Sequence, residues 1–376
     1  MILVPTTMRH ANQRELVRVL LQLGTASRPE LARAAGVSQV TAGKIVEDLL
    51  RRGILEETDA SGDDRARPGR PARGVRLDRS TPRYLIIQIG VVHTRLAVAP
   101  IAPPADDRWL VTFRTPASPA KFEAALRQAA GKLPQAELLA ALMSVPGVVD
   151  EPAGKVLLSP NLHWTEEADL PQIVSRVLGL PVSMMQEIRA LAMGQLCAEP
   201  ESRDFLLVDF GQGVGAAAVL GGKLFQGSTA LCGELGHTPV VGNARPCGCG
   251  AVGCVETLLS RRGLLESFRI DTRNPTATWE DLRAHLATGK MPGWLTRSLD
   301  AGAAAIAGAL NVLGLHRVVL TGSITELPGR VGAALCDAIS RGAMWARFGQ
   351  IDCTLAPRRR AAGLVCEAIE RLMESS

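Results

Sequence analysis

Apolar and polar positions repeat with two different periods along this chain, and the change between them divides it. Residues 12–23 (NQRELVRVLLQL) place Leu16, Val19, Leu20 and Leu23 at the spacing of one helix face. Ser27 with Glu30 three residues on, and Pro29 between them, has the pattern of a capping box. A short second helix is therefore expected over 31–35. Gly36 interrupts it, and Ser38 is placed to cap a third helix running to about residue 52. Ala32 is small where two helices would cross, Gly36 supplies the turn, and Val37, Ala42 and Ile45 can pack back. This is helix-turn-helix spacing. Ser38 at the helix start, with Gln39, Thr41, Gly43 and Lys44 facing outward, would then meet a major groove. A strand beginning at 53–56 and its return at 75–77 enclose a polar loop, 60–73, that contains Gly69-Arg70-Pro71. The whole reads as a winged helix-turn-helix with a long wing, whose Arg70 fits a minor groove. Two plainer readings stand beside it: a small helical bundle used for dimerisation, and a flexible basic linker instead of a wing.

From Tyr84 the texture changes. Strands are expected at 85–90, 95–99, 138–145, 205–210 and 318–320, and helices at 121–132 and 187–196. Residues 216–226 read as a hairpin, and the Ala/Gly-rich stretch 301–315 as a buried helix. Several strands run into glycine-rich turns, at Pro146-Gly147, at 211–215 and at 321–323. Alternating strands and helices of this kind predict an α/β architecture. The turn Gly211-Gln212-Gly213 suits either a tight hairpin or a phosphate cradle.

Composition sharpens the division. At about 100–200 residues per domain, 376 residues predict two or three domains. An apolar content of 47% excludes global disorder, and with only 3% aromatics the cores must be built from Ala, Leu and Val. No apolar run reaches the roughly 18 residues of a membrane span. Arg9, His10 and Arg14 follow the first apolar residues instead of preceding them, unlike an export signal, so a cytoplasmic protein without membrane contact is expected. The net charge of +5 is segregated. Residues 1–83 hold 15 Lys/Arg against 10 Asp/Glu, and the remainder holds 27 of each. A basic module attached to a neutral domain suggests a polyanion partner, here double-stranded DNA.

Eight cysteines are too few for a disulfide scaffold, but three fall within eight residues, in Cys247-Gly248-Cys249-Gly250-Ala251-Val252-Gly253-Cys254. His237 lies ten residues before Cys247. Three thiolates and one imidazole fill a closed tetrahedral zinc shell, as in structural sites. The alternative is three buried thiols. The other five cysteines read as core residues. Glu234, His237 and Glu256 bracket this loop, Asn161 follows Pro160, and Glu187 opens a helix. Together these groups offer the hydrogen bonds a sugar needs. Singly, each suits a solvated position, and Glu256 also suits a helix cap.

Pro146-Gly147-Val148-Val149-Asp150, Ser159-Pro160-Asn161-Leu162, Gly233-Glu234-Leu235-Gly236-His237 and the segment Cys247 to Glu256 resemble, in order and spacing, the ROK family of sugar kinases, repressors and open reading frames. The leading winged helix with its Gly-Arg-Pro tip is similar to the repressor branch. The resemblance implies a winged helix-turn-helix over 1–83 and a two-lobed, actin-like ATPase domain over 84–376, with the C-terminal helix returning to the first lobe. It implies zinc on His237, Cys247, Cys249 and Cys254, and sugar contacts from Asn161, Glu234, His237 and Glu256. His237 would bridge the two sites.

The departures point away from catalysis. Family kinases carry Asp-x-Gly-Gly-Thr where this chain has Gln88-Ile89-Gly90-Val91-Val92-His93-Thr94, so a carboxylate is missing and valines stand for glycine. Their catalytic Asn-Asp becomes Gln186-Glu187, and the late nucleotide-side glycines are reduced to Gly322. Phosphoryl transfer depends on positioning and charge neutralisation, so these changes together argue against it. The resemblance thus implies a sugar-responsive repressor that binds a palindromic operator as a dimer or higher homo-oligomer. Its effector would be a monosaccharide or sugar phosphate, touching Glu187 among others, that is not phosphorylated. The rivals are a sugar kinase with an accessory DNA-binding domain, and a regulator controlled by a protein partner with a vestigial cleft.

Overall fold

The computed structural model describes residues 5–59 and 73–374. It begins with α1 (Pro5–Leu23), β1 (Ala26–Ser27), α2 (Arg28–Ala34), α3 (Gln39–Arg51), β2 (Leu55–Asp59) and β3 (Arg73–Leu77). The three strands form an antiparallel sheet in the order β1-β3-β2 beside the three helices. Both expected caps are present. Ser27 and Glu30 make the reciprocal capping box on α2, and the Ser38 hydroxyl accepts the Thr41 N–H at the start of α3. Leu16, Val19, Leu20, Leu31, Ala42 and Ile45 are buried as the periodicity requires. Leu23 is not: it is the last residue of α1, and more than half its surface is exposed. Arg70 and the Gly-Arg-Pro tip lie outside the described residues.

The rest of the chain repeats one topology twice. The first sheet contains β4 (Tyr84–Ile89), β5 (His93–Ala99), β6 (Val111–Arg114), β7 (Ala140–Val145) and, later in the chain, β10 (Val182–Gln186), ordered β6-β5-β4-β7-β10. Its helices are α4 (Pro119–Ala130) and α5 (Leu170–Leu178), and β8 (Val148–Asp150) pairs with β9 (Lys155–Leu158) as a separate hairpin. The second sheet contains β11 (Phe205–Phe210), β12 (Val214–Leu220), β13 (Lys223–Leu224), β14 (Arg317–Gly322) and β15 (Asp352–Leu355), ordered β13-β12-β11-β14-β15. In each sheet an antiparallel meander opens onto two further parallel strands. β4, covered on both faces, is buried at every position and so reads as a continuous apolar run.

Around the second sheet stand α7 (Glu256–Leu259), α8 (Arg261–Thr272), α9 (Trp279–Thr288), α10 (Gly293–Leu313) and α11 (Gly329–Gly342). α10 is amphipathic and not buried all round: Leu299, Ala303, Ile306 and Leu310 face the core, whereas Val312 is fully in solvent. No described helix is long and apolar enough to cross a membrane.

Between the lobes lies α6 (Glu187–Ala198), crossed by the last helix, α12 (Arg360–Glu374). The crossing is at backbone contact. A Cβ on Gly363 would sit 1.8 Å from the Ala190 carbonyl oxygen, and one on Gly194 would sit 2.0 Å from that of Arg359. α12 also packs on α1, and one continuous core joins Leu16, Val17 and Leu20 to Leu364, Val365 and Ile369. Four cysteines expected as separate core residues are paired instead. Disulfides join Cys197 to Cys366, between α6 and α12, and Cys336 to Cys353. The fold brings these partners together across 169 and 17 residues, which spacing in the sequence does not reveal. Cys232 remains free, alongside the three clustered thiols.

Candidate functional site

The two lobes enclose a cleft of about 560 Å³, lined by all five residues singled out for a sugar: Asn161, Glu187, Glu234, His237 and Glu256. Each is delivered by a different local device. Asn161 follows a turn held by Ser159, whose hydroxyl donates to the Pro146 carbonyl and whose N–H donates to Glu166. Gly147, at φ +103°, must be glycine there, because a Cβ would fall 2.3 Å from the Leu158 carbonyl oxygen. Glu187 is the first residue of α6. The preceding Gln186 N–H is anchored on Glu151, which also binds Arg189 at 2.9 Å.

His237, Cys247, Cys249 and Cys254 converge, with one ligand atom from each lying within 4.8 Å of all the others. Cys249 and Cys254 sulfurs are 3.8 Å apart, and Cys247 Sγ is 3.6 Å from His237 Nδ1. Zn–S bonds of about 2.3 Å and Zn–N bonds of about 2.0–2.1 Å at tetrahedral angles call for ~3.8 and ~3.6 Å, so the donor set fits zinc. Burial pushes the Cys247 and Cys254 thiols up, and the Cys247 and Cys249 thiols add to the rise of Cys254, which reaches about 12. Cys249 moves the other way, because the Ala251 N–H and the adjacent thiols outweigh its burial. Three thiolates crowd together stably only around a cation. Gly248 lets the loop approach the opposite lobe, where a Cβ would lie 3.2 Å from Pro160.

Nδ1 of His237 faces the sulfurs, and Nε2 points towards Glu234, 3.6 Å away. Burial raises the pKa of Glu234, against the opposing pull of His237 and a bond from the Gln186 amide. Glu256 is 4% exposed. Its Oε2 accepts the Val214 N–H at 3.0 Å, while its Oε1 is buried without a partner among the described residues. Its side chain makes no cap bond on α7, so the cap reading fails. The Gly211-Gln212-Gly213 turn proves to be the backstop of this carboxylate. A Cβ on Gly213 would lie 2.5 Å from Glu256 Oε2.

Sequence reasoning missed the arginines of the cleft. Arg360, on the first turn of α12, binds Glu187 Oε1 at 2.5 Å and Asp107 at 3.5 Å. Gln88 also donates to Glu187, at 2.9 Å. Arg358 grips Asp209 through two bonds, at 2.6 and 2.9 Å, and Arg261 pairs with Glu326 at 2.6 Å. Arg95, half-buried on β5, donates to the Gln88 side-chain oxygen at 3.1 Å and has no carboxylate within 4 Å among the described residues. The run Arg358-Arg359-Arg360 was the one signal available in the sequence. In the N-terminal unit, Ser38 at the cap of α3 and Gln39 and Lys44 on it are exposed, and Thr41 is half-exposed.

Comparison with known proteins agrees with this architecture. The xylose repressor of Caldicellulosiruptor bescii is 25% identical over 272 residues, 70% of this chain and 67% of the repressor. The N-acetylmannosamine kinase of Salmonella typhi is 32% identical over 248 residues, 64% of this chain and 82% of the kinase. Among solved structures, a ROK-family transcriptional regulator homologous to the E. coli MLC protein superposes with a TM-score of 0.77 at 21% identity, covering 98% of both chains. A ROK glucokinase from Streptomyces griseus, with glucose and AMPPNP, gives 0.60 at 21% identity over 78% of this chain and 99% of its own. The fold is therefore an N-terminal helical unit with a small sheet, followed by the two mixed sheets of the actin-like ATPase domain. Residues 85–368 match the ROK family over most of the chain, and the chain belongs to that family.

Proposed function

We propose that this protein is a sugar-responsive transcriptional repressor that senses its effector in a kinase-like cleft without phosphorylating it. Residues 1–83 form the DNA-binding unit and 84–376 the effector unit. A dimer reads a palindromic operator through Ser38 and through Gln39, Thr41 and Lys44 of α3, with Arg70 as a further DNA contact. His237, Cys247, Cys249 and Cys254 hold one structural zinc, which would fix the His237 ring so that Nε2 faces the sugar. Asn161, Glu187, Glu234, His237 and Glu256 bind the sugar hydroxyls.

The observation that carries this reading is the state of Glu187. A kinase needs a free carboxylate here to accept the hydroxyl proton. In this chain Arg360 and Gln88 both bind its Oε1, so the carboxylate is already paired with a buried cation and is a poorer proton acceptor, while it can still bond a sugar hydroxyl. The same Arg360 opens α12, whose far surface packs on α1. A ligand that favours one setting of Arg360 would therefore bias the seat of the DNA-binding unit, by as much as its affinities for the two settings differ. The likeness to the xylose repressor and to the MLC homologue supports the reading.

The test is a thermal-shift screen of monosaccharides and their phosphates, followed by operator-binding assays with the hit. Ligand bound to the folded state raises the melting temperature by mass action. A hit that leaves operator affinity unchanged would remove the regulatory half of the proposal. The 32% identity to N-acetylmannosamine kinase favours the rival kinase reading. Under our reading, a coupled assay with ATP, Mg²⁺ and N-acetylmannosamine stays at background.

A further inference from the structure

Four arginines line the cleft, and three are neutralised where they stand. Arg358 is spent on Asp209, Arg261 on Glu326, and Arg360 on Glu187 and Asp107. Arg95 hydrogen-bonds the neutral oxygen of Gln88 and has no carboxylate within 4 Å among the described residues. Its burial and the Arg360 guanidinium lower its pKa, Glu187 opposes them, and Arg358 and Asp107 act more weakly in opposite directions, leaving the pKa lowered. An unpaired, half-buried cation facing a cleft is a site for an anion.

The surroundings of Arg95 agree. Its cross-strand neighbour on β4 is Gln88, an amide that carries no charge to repel an anion. The single Gln88 side chain spans from Arg95 to Glu187, with one end on each. Glu187 would repel an anion bound to the sugar, but Arg360 cancels its charge from the other side. The cleft, at about 560 Å³, lies in the range that accepts a drug-sized molecule and leaves room beyond one sugar ring.

The geometry points to a phosphate subsite at Arg95, so that the effector is a phosphorylated monosaccharide whose ring sits at Asn161, Glu234, His237 and Glu256. The inference rests on the sugar-sensor reading and narrows its ligand. The ring is held by groups that accept and donate to hydroxyls. The phosphate, carried on the hydroxyl that points past Glu187, meets Arg95 across Gln88. Arg95 gives a planar pair of donors suited to two phosphate oxygens, which a lone ammonium would not match.

Calorimetric titration of the full-length protein tests this directly. The probes are glucose, mannose, xylose, N-acetylglucosamine and N-acetylmannosamine, each beside its terminal monophosphate, with inorganic phosphate and glucuronate as further arms. At least one monophosphate should bind tenfold or more tightly than its parent sugar. In Arg95→Gln that preference should collapse towards unity, and Arg95→Lys should restore part of it. Unchanged melting temperatures of both variants would show that they fold. A glucuronate that binds as tightly as the best monophosphate would overturn phosphate as the group recognised. Parent sugars that bind as well as their phosphates, or a preference that survives in Arg95→Gln, would overturn the subsite. If parent sugars bind and no phosphate does, only this inference falls. If no sugar of either kind binds, the sugar-sensor reading falls with it.

Discussion

Removing the Glu256 carboxylate should uncouple sugar sensing from every other property of the protein. Glu256→Ala deletes one oxygen that holds the Val214 N–H and another that is buried with no partner among the described residues. A sugar hydroxyl bonded to the second oxygen makes a charge-assisted bond worth about 1.5–3 kcal/mol, which is roughly a 10- to 150-fold change in affinity. Folding stability feels two opposing effects. The Val214 N–H loses its acceptor, which costs about 1–3 kcal/mol if nothing replaces it. Removal of a buried, half-satisfied carboxylate returns part of that cost. The net destabilisation should be below about 2 kcal/mol, a fall in Tm of several degrees. Zinc content and operator affinity should be retained, because Glu256 is none of the four metal ligands and lies outside α3. Titration calorimetry of wild type and variant with the effector found by screening measures the loss. Equal affinities would refute the assignment of Oε1 to the ligand.

Three further outcomes are expected. Metal analysis of protein prepared without chelator should find about one zinc per chain, and Cys249→Ser should lose it and unfold at lower temperature, since metal binding and local folding are coupled. Lys44→Ala should bind operator more weakly at unchanged Tm and reduce the salt slope by about one unit if the ammonium meets a phosphate, as a salt titration of operator binding would reveal. Gly363→Ala should lower stability by about 1–3 kcal/mol in thermal or urea unfolding, because its Cβ would lie 1.8 Å from the Ala190 carbonyl oxygen and force α12 off α6.

What the sequence reveals depends on how far apart the interacting residues are. The Ser27–Glu30 box, the Ser38 cap and the apolar face of α1 are set within a few positions, and local pattern finds them. The metal loop is similarly local, with only His237 outside the cysteine run. β6, β8, β9, β10 and β15 escaped because they are short and owe their strand form to neighbours distant in sequence. The decisive contact of the cleft, Arg360 with Glu187, spans 173 residues, so no spacing rule predicts it. Glu256 was found as a polar residue beside the metal loop. Its choice between helix cap and cleft was settled by Val214, from a strand 42 residues earlier.

The shared core of the first and last helices constrains how this protein can be cut and recombined. Leu16, Val17 and Leu20 of α1 lie against Leu364, Val365 and Ile369 of α12 in one apolar cluster. A fragment ending near residue 83 would expose that face of α1, and a chain truncated before α12 would leave it uncovered as well. Grafting the N-terminal unit onto another two-lobed domain therefore requires exchange of both α1 and α12. A chimera with a single crossover joins two surfaces that were never fitted to each other.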